Sequence, residues 1–190
     1  FVVRRPLTVA SIVLLVLCAA YNMSLSTQPQ IAISAGPAKK ALRSNAAYQK
    51  GAQQIVESSV LNRMKLTFAT NDIEGKLQQA FPELSDISVS LPLMGRSPLI
   101  RATAEQPALL LTSDRGVFLV GVSGKVLAKT ADVTGSEGLT IPTIQDQAGL
   151  QLSPGKGALS KQDVTFITTL INQFDHQNIT ITSLTLPALA

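Results

Sequence analysis

Tryptophan is absent from this 190-residue chain, histidine and cysteine occur once each, and phenylalanine and tyrosine together number eight. So few rings offer no stacking platform for bases or sugars. The single cysteine, Cys18, permits no disulfide within the chain. His176 has no second His or Cys at metal-ligand spacing and no nucleophile pattern beside it. It reads as a solvent-facing side chain at the end of a helix. Charged residues are also scarce, at 15% against a usual ~25%. The hydrophobic fraction of 45% is ordinary and sufficient for a core.

The charge that is present is unevenly spread. Residues 1–65 hold eight Lys/Arg and one acid, Glu57, whereas 66–190 hold eight Lys/Arg and eleven acids. A basic half attracts an anionic surface or simply forms a solvated face. Its cations are not interleaved with aromatics, which argues against a nucleic-acid reader. Next to Arg4 and Arg5 stands the longest apolar run, from Leu7 to Leu25. As a helix it is ~28 Å long, close to the ~30 Å of a hydrocarbon core. Residues 7–25 are therefore expected to form a transmembrane anchor, with residues 1–6 as its cytoplasmic flank. No Lys or Arg follows until Lys39, which places the N-terminus in the cytoplasm and the bulk outside. A cleavable signal peptide is the competing reading. The chain begins at Phe1, so preceding sequence is expected.

Beyond the run, "SLSTQPQ" reads as a polar tether, "IAIS" as a short strand and "AGPAKK" as a turn. Residues 45–64 carry Tyr48, Ala52, Ile55, Val56 and Val60 on one helical face, with Asn45 as cap. "MKLTFAT" is a connector that sends Leu66 and Phe68 into a core. A second helix starts at Asn71, with Glu74 placed to complete a capping box, and stops where Pro82 removes a backbone donor. The period then changes from helical to alternating, predicting strands over 86–91 and 99–104 joined as a hairpin. This order, strand-helix-helix-strand-strand, lets two helices cover one face of a three-stranded sheet.

From Ala108 the texture is β. Turn signals at Asp114-Arg115-Gly116 and Ser123-Gly124 separate apolar runs. A third helix over 160–175 has Ser160 as cap, Asp163 behind it, and Val164, Ile167, Leu170, Ile171 and Phe174 as its stripe. "NITITSLTL" alternates with a slip at Thr182-Ser183 and leaves an uncovered edge. The fold class is α+β, with a small domain over 26–107 and a β-rich domain over 108–190.

Chemistry is hard to find. "GVSGK" lacks the second glycine spacing of a nucleophile elbow and the first glycine of a phosphate loop, so it reads as a hairpin turn. A Ser123/Lys125 dyad is the one enzymatic alternative, and a solvated Lys125 would stay protonated. The carboxylates Asp72/Glu74 and Glu83/Asp86 are of the kind that cap helices and decorate turns. No catalytic, cofactor-binding or metal-ligating residue is assigned, and no small-molecule substrate.

"LQQAFPELSDISVS", "AEQPALLL", "LVGVSGKVL", "GLTIPTI" and "DVTFITTLINQFDHQNITITSLTL" stand in an order that resembles the bacterial division proteins of the FtsQ/DivIB family over residues 7–190. The sequence departs from that pattern at Gly121, where an acidic residue is usual. The resemblance implies a membrane anchor, a POTRA domain and a β-domain that continues past Ala190. It also implies a non-enzymatic divisome scaffold at the septum, with FtsB-like and FtsL-like partners. Strand edges would supply the contacts; no partner-contact residue is carried over. The alternative is another anchored POTRA-type binding module in envelope assembly or secretion.

Overall fold

A computed structural model describes residues 4–35, 41–93, 95–134, 139, 141–179, 181 and 183–187, with side chains of 4–7 and 35 excepted. Among these the fold is α+β, with four α-helices and eight strands. Helix α1 spans Arg4–Met23. Strand β1 (Gln30–Ala35), helices α2 (Asn45–Glu57) and α3 (Thr70–Ala80), and strands β2 (Leu84–Ser90) and β3 (Leu99–Ala104) follow. They build a three-stranded sheet of order β1-β3-β2, with β1 parallel and β2 antiparallel to the central strand.

The transmembrane anchor expected over 7–25 is overturned: among the described residues no helix is long and apolar enough to cross a membrane. The residues meant to complete the span belong to the folded domain. Ser24 bridges Met64, the Leu25 amide donates to the Arg63 carbonyl at 2.7 Å, and Leu25 is only 4% exposed. The expected tether is thus anchored at its start. Arg4 and Arg5 head α1, but their side chains lie outside the described residues.

Helices α2 and α3 lay Tyr48, Ala52, Val56, Ile73 and Leu77 on the sheet's Val89, Ile100 and Ala102. Local signals shift slightly from the sequence reading. Ser44, not Asn45, caps α2, with its hydroxyl accepting from the Ala47 amide. α2 stops at Glu57, and Val60 falls in a separate 3-10 turn, Val60–Arg63, where it is exposed. Helix α3 starts at Thr70 without a side-chain cap. Glu74 instead accepts the Val89 amide at 2.8 Å, fastening helix to strand. In the connector Phe68 is buried, but Leu66 points to solvent. The turn 36–40 lies outside the described residues.

The proline joint holds an exact fit between rings and backbone. Phe81 ends α3 and meets Tyr48 edge-on, with centroids 5.1 Å apart. Its ring occupies the space where a β-carbon of Gly51 would be. That explains a glycine inside a helix, where it ordinarily costs about 1 kcal/mol relative to alanine.

The second sheet has order β6-β5-β4-β7-β8, from β4 (Pro107–Ser113), β5 (Gly116–Gly121), β6 (Val126–Lys129), β7 (Thr143–Asp146) and β8 (Thr185–Leu186). Both of its faces are covered. Leu109, Leu111, Phe118 and Val120 face helix α4 (Lys161–His176) through Val164 and Ile167. Leu119, Leu127, Ala128 and Val133 form a cluster on the other face, completed by Leu42 from the first domain. Burial on both sides explains why "GVFLVG" runs apolar without alternating. Ser160 and Asp163 form the expected capping box, and the hydrogen bonds from Ser160 hold the Asp163 carboxyl below its usual range. Phe174, expected inside, is part-exposed at the helix end. The expected bulge at Thr182 lies outside the described residues.

Gly51→Ala should destabilise the protein by about 1–3 kcal/mol, the size typical of an overpacked core, reversing the usual gain from alanine in a helix. Urea unfolding of the two proteins checks this; equal or higher stability of the variant would refute the packing account.

Candidate protein-binding edge and the joint behind it

The joint between the two sheets is the most polar part of the interior. Leu42 enters the second sheet's cluster, and its neighbour Arg43 turns back to Glu83, Nε to Oε1 at 2.7 Å. Glu83 is fully buried, and Arg43 lies over the Phe81 ring at 5.8 Å. The second Glu83 oxygen and the Tyr48 hydroxyl are both buried beside each other and Arg43. Burial first, and the Glu83 negative charge second, push the Tyr48 hydroxyl well above its ordinary value of 10.0.

From Glu83 a chain of polar contacts leads to the second sheet. The Glu83 carbonyl accepts from the Glu105 amide at 2.8 Å. The Glu105 carboxylate accepts from both the amide and the hydroxyl of Ser123, and Lys125 stands 3.6 Å from its other oxygen. Gly121 leaves room for this carboxylate, since a β-carbon there would overlap Glu105. Any side chain at 121 would have to displace the Glu105 carboxylate or Leu127. The turn continues the path: the Gly124 carbonyl accepts the amides of Ala158 and Leu159, just ahead of the Ser160 cap of α4. Pro82 also lies against Gly155, within reach of a β-carbon placed there.

These contacts decide the candidate chemistry. Ser123 and Lys125 are brought together, but by a carboxylate that binds both. The hydroxyl is committed to Glu105, and Lys125 is ion-paired. Asp72 pairs with Lys76 at 2.7 Å, Glu74 binds β2, and Glu83 is consumed by Arg43, while Asp86 is exposed in the β2 bulge. His176 is exposed in the last turn of α4. Among the described residues no group of His, Cys, Asp and Glu could hold a metal ion. Sequence reasoning placed Tyr48 on the buried face of its helix but missed its place beside Glu83, and it missed the roles of Leu42, Arg43 and Glu105. The only local hint was "PE" after a helix, a charge expected on the surface.

What remains accessible is backbone. β8 pairs with β7 in parallel: the Gln145 and Gln147 amides donate to the Leu184 and Leu186 carbonyls at 2.9 and 3.0 Å. Strand alternation then turns the amide and carbonyl of Thr185 away from the sheet. Among the described residues no strand lies beyond β8. Beside it runs a groove of about 500 Å³ between the second half of α4 and the sheet, lined by Ile171, Asp175, Pro142, Ile179, Ile181 and Leu184. Thr143, Asn172 and Ser183 also line this groove, so its wall is polar as well as apolar; a strand edge beside such a groove is the arrangement that strand addition uses, with ladder bonds for affinity and pockets for side chains. Neither a protein-family model nor a curated protein matches the chain.

The unfolded chain ionises Tyr48 near pH 10.0, and the folded protein holds the proton to higher pH. Stability from this group is therefore complete below that value and falls above it, by about 1.4 kcal/mol per pH unit. Denaturant unfolding of wild type and Tyr48→Phe between pH 9 and 11 checks it: the variant should lose stability less steeply over this range, and identical slopes would refute the assignment.

Proposed function

We propose that this chain is a non-catalytic scaffold of the FtsQ/DivIB kind. It acts at the division septum outside the cytoplasm and binds FtsB-like and FtsL-like segments to recruit and regulate septal wall synthesis. The observation that carries this reading is the β8 edge, beyond which no strand lies among the described residues, with a groove of mixed polar and apolar lining beside it. Support also comes from the order of the elements: two helices over a three-stranded sheet, then a β-rich unit with one late helix, as the resemblance implies. Recognition by backbone requires no reactive side chain, consistent with a serine and a lysine that are both tied to Glu105. An incoming strand would pair with Thr185 and seat alternate side chains in the groove near Ile171 and Ile179.

Thr185→Pro removes the outward N–H while leaving the bonds to β7 in place. It should abolish capture of FtsB-like and FtsL-like coiled-coil partners in pull-downs and the midcell band of a fluorescent fusion, with circular dichroism unchanged. Full capture and normal midcell localisation in this variant would contradict the proposal.

A further inference from the structure

A second surface lies on the loops of the first domain, and it is unlike the β8 edge. Three segments are tied together there by hydrogen bonds, two of backbone to backbone and one from a side chain. The Lys65 amide donates to the Met23 carbonyl at 2.9 Å, the Ser26 amide to the Arg96 carbonyl at 2.7 Å, and the Lys65 ammonium to the Leu93 carbonyl at 3.2 Å. This clamp displays apolar side chains outward. Leu93, at the hairpin tip, is 98% exposed, and Leu66, Leu61 and Met64 are 77%, 63% and 50% exposed. A monomer in water gains nothing from placing four large apolar side chains on adjoining loops, and clustered exposure of this kind marks an interaction surface.

The charges select the partner. Arg63, Lys65 and Arg96 stand among the apolar side chains, and none meets a carboxylate among the described residues. No acidic residue occurs from 58 to 71 or from 87 to 104. Arg96 is stacked over the Tyr21 ring at 4.7 Å, which fixes its guanidinium on the same surface. Apolar side chains on loop tips ringed by fixed cations match the layered chemistry of an anionic bilayer surface, with phosphates above and acyl carbon just beneath. An apolar protein groove would need no such ring of cations.

We propose that residues 60–66, together with Leu93 and Arg96, form a peripheral docking face for an anionic phospholipid surface. Leu61, Leu66 and Leu93 enter the headgroup layer, and Arg63, Lys65 and Arg96 meet lipid phosphates. The face lies on a bilayer and crosses nothing. It shares no residue with the β8 edge.

The test uses the full chain with vesicles of phosphatidylcholine alone or with one quarter phosphatidylglycerol. Affinity should be at least tenfold higher for the anionic vesicles and should drop in 0.5 M salt. The triple variant R63E/K65E/R96E should lose that preference, and Leu66→Ser with Leu93→Ser should weaken binding to both vesicle types. An environment-sensitive dye on Leu93→Cys, in a Cys18→Ser background, should shift to the blue on adding anionic vesicles, whereas one on Asp175→Cys should not. Both sets of substitutions leave α1 intact. Equal binding to the two vesicle types, wild-type binding by the triple variant, or an unshifted dye at position 93 would each overturn the proposal.

Discussion

The contact between Arg43, which is partly exposed, and the fully buried Glu83 is the constraint on which the arrangement of this protein depends. It sits where α3 ends, where β2 begins and where the first sheet meets the second. A buried ion pair contributes little to stability compared with well-packed apolar residues, but losing one partner strands a charge and costs about 3–5 kcal/mol. The pair therefore acts as a specificity device. With Leu42 seated in the second sheet's cluster, Arg43 reaches Glu83 in the described arrangement, and Pro82 holds the following residue at that point. Glu105 then carries the connection to the β5–β6 turn and on to the start of α4.

This construction explains how a chain so poor in reactive groups can have a defined purpose. Its buried carboxylates are spent on fastening one element to another. Two surfaces are left for the proposed contacts: the β8 edge, beyond which no strand lies among the described residues, and the apolar, basic loop cluster around Leu66 and Leu93. An edge recognises a partner only if it is held still, because a mobile edge pays ordering entropy on binding. The contacts running from Pro82 through Glu105 to Ser160 give the β8 edge a rigid frame.

What could be read in the sequence was what is local. The capping box at Ser160 and Asp163 lies within one turn, and the β3 strand shows its alternation over six residues, so both are legible. The change of rhythm at Pro82 announced the joint correctly. What it joins was hidden, because Arg43 and Glu83 lie forty residues apart and nothing local distinguishes a buried glutamate after a proline from an exposed one. Leu42 looked like any leucine near a turn. The apolar run to Leu25 misled for a related reason: counting apolar residues cannot reveal that the amide of Leu25 is bonded to Arg63. Leu66 and Phe68, two residues apart in an aperiodic connector, differ in fate because only tertiary contacts decide it.

The central claim is that the joint makes the two sheets one cooperative unit, and native-state hydrogen exchange tests it most directly. The slowest amides of β3 and β4 should open with the same free energy in the wild-type protein, and Arg43→Met should separate the two values. Values already differing by more than about 1 kcal/mol in the wild type would mean that the sheets open independently, and would contradict the account.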